Sequence, residues 1–228
     1  MPRACLTNPD QWTGILFPEP GVARPGSLAI REGAVLFPGM AVKPSDLLME
    51  AILAILAQAP FRCMKTPGGR RMSVAMSNCG TTGWISDRRG YRYTDRDPLT
   101  GKAWPPLPDS FRDLAGAAAH RAGFQGFCPD VCLINGYKPG SSLSLHQDRD
   151  EKDGSAPIVS VSLGLPASFL FGGLQRNDPV MRIPLYHGDV LVWGGPFRYA
   201  FHGIARLASG HHPLTGPMRI NLTFRKAL

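Results

Sequence analysis

The 228-residue chain has no run of eighteen apolar residues, so it offers no helix able to cross a bilayer. Its first thirty residues lack the compact apolar stretch after a basic start that marks a secretory leader. There is no internal repeat and no low-complexity tract. Cysteine is scarce and odd in number: Cys5, Cys63, Cys79, Cys128 and Cys132, at irregular spacing. That argues against a disulfide framework and for free thiols in a reducing compartment, so a cytoplasmic protein is expected. Cys128 and Cys132 supply too few ligands for a metal by themselves and read as buried small residues.

Glycine and proline, by contrast, are abundant, at 26 and 22 residues. They predict many turns and short strands. Residues 1–30 are rich in both ("PEPGVARPG") and read as an extended arm of open role. Ser45 or Asp46 is placed to cap a helix, "DLLMEAILAILAQ", ending before Pro60. Ser110 opens a second, "SFRDLAGAAAHRA", closed by Gly123. Between them "MSVAMSN" reads as a strand. From Asp130 onward come "VCLINGY", "SSLSLH", "PIVSVSLGL", "ASFLFGG", "VMRIPLY", "VLVWGG", "RYAFHGI" and "MRINLTFR". About eight short strands at this spacing predict a mainly β fold with flanking helices, a double-sheet jelly roll.

The net charge is +8, and it is unevenly spread. Between Phe61 and Trp104 stand nine basic residues, among them Arg70, Arg71, Arg88 and Arg89, against only Asp87, Asp95 and Asp97. Such clustering points to a polyanionic partner, the alternative being a merely soluble basic surface.

Two spacings carry chemistry. His146 precedes Asp148 by two residues, so on a strand Ser144, His146 and Asp148 share a face. His202 follows in "RYAFHGI". Two histidines and a carboxylate form the facial triad of non-haem Fe(II) oxygenases; a zinc hydrolase site, or no metal, are the rivals. His187 and Asp189 repeat the His-x-Asp spacing, but Gly188 between two apolar strands reads as a hairpin turn. His211 and His212 read as loop residues. The second spacing is "RINLTFR". There Arg219, Asn221, Thr223 and Arg225 share one face and Ile220, Leu222 and Phe224 the other. The polar face is either solvated or turned toward a dianion. A dicarboxylate cosubstrate such as 2-oxoglutarate would engage planar Arg forks, which a zinc hydrolase does not need. Asn135 and Tyr137, on one face of "CLINGY", add neutral hydrogen-bonding groups.

Taken together, "SLHQDRDE", "FHGI", "RINLTFR", "NGY" and "VSLGLPASFLFGG" closely resemble the AlkB family of Fe(II)/2-oxoglutarate-dependent dioxygenases, near its bacterial type, from about Pro60 to Lys226. The resemblance implies a double-stranded β-helix within a single dioxygenase domain over 31–228. In it, residues 61–104 would form a nucleotide-recognition lid and 130–226 the catalytic core. It implies Fe(II) held by His146, Asp148 and His202, with 2-oxoglutarate and O2 as cosubstrates. Arg219, helped by Tyr137 and Asn221, would pair the far carboxylate of 2-oxoglutarate. Arg225 and Asn135 would serve its chelating end. Trp84, Tyr91, Asp150, Glu151 and Arg176 would contact substrate. The implied activity is oxidative removal of N-alkyl groups from bases such as 1-methyladenine and 3-methylcytosine, releasing formaldehyde, succinate and CO2. The implied partner is single-stranded DNA, or duplex DNA or RNA, met by a monomer. Gly136 departs from the family's larger residue, often Arg, which implies a looser cosubstrate pocket. The alternatives are an oxygenase of the same kind acting on a protein or small molecule, and a non-catalytic nucleic-acid-binding module. Neither uses both the basic aromatic segment and the triad.

Overall fold

A computed structural model describes residues 26–228. The proline-rich arm expected over residues 1–30 falls mostly outside the described residues, as does Cys5. Its end does not: Leu28–Arg31 (β1) pairs antiparallel with Ala34–Phe37 (β2) at the edge of the main sheet.

Both expected helices form, the first starting at Ser45 itself and the second one residue before Ser110. The first, α1, spans Ser45–Gln58 and the second, α2, Asp109–Ala122. Each is preceded by a proline, Pro44 or Pro108, and no side chain caps it. The proline carbonyls accept the first helical hydrogen bonds, from Leu48 and from Phe111 and Arg112. Ser45, Asp46 and Ser110 are therefore not the caps. Gly123 does close α2, at φ 101°.

The strands after Asp130 form within the segments expected from their turn residues: Val131–Tyr137 (β6), Leu143–His146 (β7), Ile158–Gly164 (β8), Ala167–Phe171 (β9), Met181–Leu185 (β10), Val190–Trp193 (β11), His202–Ile204 (β12), the last three residues of "RYAFHGI", and Arg219–Arg225 (β13). "MSVAMSN" becomes Ala75–Gly80 (β3). A hairpin in the basic segment, Gly83–Asp87 (β4) with Gly90–Thr94 (β5), was not foreseen, nor were β1 and β2. Arg and Gly dilute the apolar alternation of β4 and β5, so the pattern that marks a strand is weak there.

Two sheets face one another. The larger runs β1-β2-β11-β8-β13-β6-β3 and the smaller β10-β9-β12-β7, which is the expected jelly roll. The interior between them holds Leu36, Leu133, Ile158, Phe169, Phe171 and Trp193. A second core lies where the larger sheet's other face meets the helices, with Ile52, Phe111, Ile134, Val161, Leu222 and Phe224. The sheet is thus covered on both faces, and all seven residues of β13 are buried. The solvated reading of its polar face is excluded. His187-Gly188-Asp189 is a turn, with Gly188 at φ 80°. It is not a hairpin, because β10 and β11 lie in different sheets. Asp189 accepts the N–H groups of Gly39 and Tyr186, so it shapes the corner between them.

Phe224 stands edge-on to Phe111 at 5.7 Å, joining β13 to α2, and both are fully buried. Phe224→Ala should cost about 3–5 kcal/mol, read as a fall in the urea midpoint with an unchanged slope.

Candidate active site

The two strands that carry His146 and His202 are neighbours, and the residues sit directly opposite in register. Antiparallel pairing thereby joins side chains 56 positions apart in the sequence. Their rings are 4.3 Å apart between centroids. Asp148 lies two residues past the end of β7, not on it. Its Oδ1 is 3.6 Å from His146 Nε2, and its Oδ2 is 3.7 Å from His202 Nε2. Ligand atoms of all three residues fall within 4.8 Å of one another, the one such cluster among the described residues.

The chemistry of the donor set fits a divalent metal. His146 Nδ1 lies 2.9 Å from the Ser144 carbonyl and His202 Nδ1 3.0 Å from that of Ala200. A carbonyl only accepts, so each Nδ1 carries the proton and each Nε2 lone pair is left for the cluster. Burial, with His146 beside it, pushes His202 down to about 4, so it is neutral at physiological pH. Burial alone would push the Asp148 carboxyl up. Arg225 outweighs it, helped by His202 and His146, and holds Asp148 well below the usual carboxylate range. Two imidazoles that each turn an Nε2 lone pair inward and one carboxylate are what a 2-His-1-carboxylate iron site requires.

The polar face of β13 looks into the same interior. Arg219 is fully buried, and its Nε and Nη1 have no protein partner. Its Nη2 donates to Ser162 Oγ at 3.0 Å, and the guanidinium lies 5.0 Å from the Tyr137 ring centre. Unpartnered donors on a buried cation are costly unless an anion meets them. Asn135 offers a buried Oδ1, also unpartnered, opposite Asn221 in the ladder. These groups suit a carboxylate-bearing cosubstrate. Asn221 is less available than expected: its amide donates to Ser160 Oγ and the Val161 carbonyl, and Thr223 donates to its oxygen. Gly136 does not bear on this pocket. A Cβ there would meet Phe61 at 3.0 Å and Met218 at 3.2 Å, on the face opposite Asn135 and Tyr137. The expectation of a looser pocket is corrected.

Arg225 is committed to acids. Its Nη2 is 2.7 Å from Asp148 Oδ2, off the hydrogen-bonding direction, and its Nε is 3.5 Å from Glu151 Oε1. Glu151, expected at the substrate, is turned inward instead. It pairs with Arg198 at 3.2 Å, both side chains being 2% exposed, and accepts the Tyr93 hydroxyl at 2.6 Å. Two buried cations draw the carboxylate in where one solvated base would not. Arg198 and Tyr93 were missed by the sequence reading, since neither lies at a spacing that marks a ligand.

Trp84 and Tyr91 come together on the β4–β5 hairpin, stacked 5.6 Å apart with planes 13° from parallel. Trp84 Nε1 donates to Asp150 Oδ2 at 2.7 Å, so Asp150 ties the hairpin to the segment after β7. Buried Asn78 on β3 holds the Trp84 main chain at both its N–H and its carbonyl, each at 3.0 Å. Arg176 lies over the Phe201 ring at 5.0 Å. Cys132 is buried as expected, but Cys128 is exposed.

Three comparisons bear on this geometry. The family model described as the 2OG-Fe(II) oxygenase superfamily matches residues 33–225. A protein of Salmonella typhimurium named alpha-ketoglutarate-dependent dioxygenase AlkB is 57% identical over 195 residues, covering 86% of this chain and 90% of that one. The protein of that name from Escherichia coli is 55% identical over 205 residues, covering 90% and 95%. The solved structure titled OsALKBH1 superposes with a TM-score of 0.77 at 29% identity, covering 88% of this chain and 99% of that chain.

Titration with Mn(II) should show tight binding that is lost in His146→Ala, Asp148→Ala and His202→Ala. The corner residue makes the control: His187→Ala should bind Mn(II) as the parent does. Separately, Arg219→Ala should weaken 2-oxoglutarate binding by about 2–5 kcal/mol, roughly 30-fold or more, read by calorimetry.

Proposed function

Because the chain belongs to the 2OG-Fe(II) oxygenase superfamily, and within it to the AlkB type, we propose that it oxidatively removes N-alkyl groups from nucleic-acid bases. The observation that carries the proposal is the joining, between the same two sheets, of a His-Asp-His cluster with a buried Arg219 that has two unmet donors. His146, Asp148 and His202 would hold iron. Arg219, Tyr137 and Asn135 would hold 2-oxoglutarate, with Arg225 alongside. When bound, iron with 2-oxoglutarate and O2 would supply the oxidation that hydroxylates an N-methyl carbon, and the hydroxymethyl group would then leave as formaldehyde.

The chain's own residues bind, orient and exclude water. The apolar walls Trp193, Phe169 and Phe171 surround His202 and keep its imidazole dry. Tyr137 packs under Arg219 and limits its rotamers. A target base must leave its stack to reach so buried a centre. The stacked pair Trp84 and Tyr91 offers it an aromatic surface, and Arg70, Arg71, Arg88 and Arg89 would attract phosphates in a salt-dependent way. On this reading the segment 61–104 is the lid, and Asp150 presents its carboxylate through the Trp84 indole, not to the base alone. Arg176 would lie at the rim. A single-stranded substrate suits a base that must be extruded. We include in the proposal a monomer, and action in the cytoplasm, the latter in keeping with thiols free of disulfides at Cys63, Cys79, Cys128 and Cys132. No helix among the described residues is long and apolar enough to cross a membrane.

Incubating the protein with Fe(II), 2-oxoglutarate and an oligonucleotide bearing 1-methyladenine or 3-methylcytosine should release formaldehyde in proportion to repaired base. Succinate formed without formaldehyde on any such oligonucleotide would favour another substrate class. Trp84→Ala should fold and bind 2-oxoglutarate but lose about 1–3 kcal/mol of oligonucleotide binding. Unimpaired repair by that variant would remove Trp84 from the base site.

A further inference from the structure

The buried ion pair of Arg198 and Glu151 has no place in the chemistry described so far. Arg198 lies just after the short 3-10 turn Gly195–Phe197 and four residues before His202. Its guanidinium makes three contacts with one segment, the connection from β7 to β8. Nε donates to the Ala156 carbonyl at 2.8 Å, Nη1 to the main-chain carbonyl of Asp148 at 3.0 Å, and Nη2 to Glu151 Oε2 at 3.2 Å. The other Glu151 oxygen accepts the Tyr93 hydroxyl and faces Arg225, which in turn lies against Asp148 Oδ2.

We propose that Arg198 and Glu151 are positioning residues for the metal centre, fixing Asp148 from two sides. Arg198 holds its main chain directly. Glu151 holds Arg225, and Arg225 steers the carboxylate. Asp148 needs such support because it stands beyond the end of β7, where no ladder hydrogen bond sets its orientation. The strut springs from the residues leading into His202, so it also fixes the distance between the two parts of the cluster. Tyr93 adds the lid hairpin: its hydroxyl reaches both Glu151 and Arg225. Both charges are fully withdrawn from water, an arrangement whose desolvation cost is offset only where the contacts are well formed. The inference rests on the iron-site reading given above.

The test uses Co(II) as a spectroscopic probe of the full chain, with calorimetry for affinity and melting of the metal-free protein as a control. Glu151→Gln and Arg198→Met should weaken Co(II) binding about 10- to 100-fold and alter its visible spectrum. Arg198→Lys should recover part of the affinity, because an ammonium can still reach one or two of the three acceptors. Tyr93→Phe, which removes a single hydroxyl and should fold even where the charge variants do not, is expected to weaken Co(II) binding severalfold. Folded variants that bind Co(II) with the parent's affinity and spectrum, whatever their melting temperatures, would reduce the pair to a structural brace. If the parent protein binds no Co(II) that His146→Ala abolishes, the iron-site reading fails, and the positioning role falls with it.

Discussion

Charge in a dry interior is the constraint on which the rest of this structure depends. The roll encloses Asp148, Glu151, Arg198, Arg219 and Arg225, all nearly or fully withdrawn from solvent. None could remain ionised there alone, because the desolvation of a single charge exceeds the stability of a typical domain. Four of them alternate in sign, Arg198–Glu151–Arg225–Asp148, so Glu151 lies between two cations and Asp148 against one. The fifth, Arg219, has no acid beside it. It is supported by the Tyr137 ring and one serine hydroxyl, and so is the position at which an anion from solution is most strongly favoured. The surrounding apolar layers serve this arrangement twice. They strengthen each electrostatic contact by lowering the local dielectric, and they keep water from competing for the donors.

The jelly roll was legible because about eight short strands follow one another with turn residues between them. The triad was legible because a His-x-Asp pair and a distal histidine are a recognised ligand set, although the site is assembled otherwise than expected: His146 meets His202 through register, and Asp148 reaches them from beyond the end of β7. The same spacing at His187 and Asp189 misleads unless the glycine between them is weighed, and even then the corner it makes between sheets looks like a hairpin. Arg198 and the inward turn of Glu151 were not legible. Their roles depend on which distant cations surround one carboxylate, and that follows from how loops pack, not from periodicity. Gly136 shows the same limit from the other side. Its place beside Asn135 and Tyr137 in the sequence suggested the pocket, but alternation puts it on the helix-facing side, against Phe61 and Met218. The N-caps fall on Pro44 and Pro108, whose rings fix φ near a value compatible with a helix start, and not on the side-chain cappers Ser45, Asp46 or Ser110.

The pairing of His146 with His202 across two strands has a consequence for how such a chain tolerates change in length. Because the two ligands meet through register, the 55 residues between them can gain or lose segments in turns, such as the exposed stretch around Leu174–Asp178, without moving either imidazole. A single residue added within β7 or β12 is another matter. It would rotate one histidine to the opposite side of its sheet, and Gly203 leaves no slack, since even a methyl there would press on the Leu143 carbonyl at 2.5 Å. Insertions and deletions that survive in descendants of this sequence should therefore gather in the turns and leave these two short strands unbroken in length.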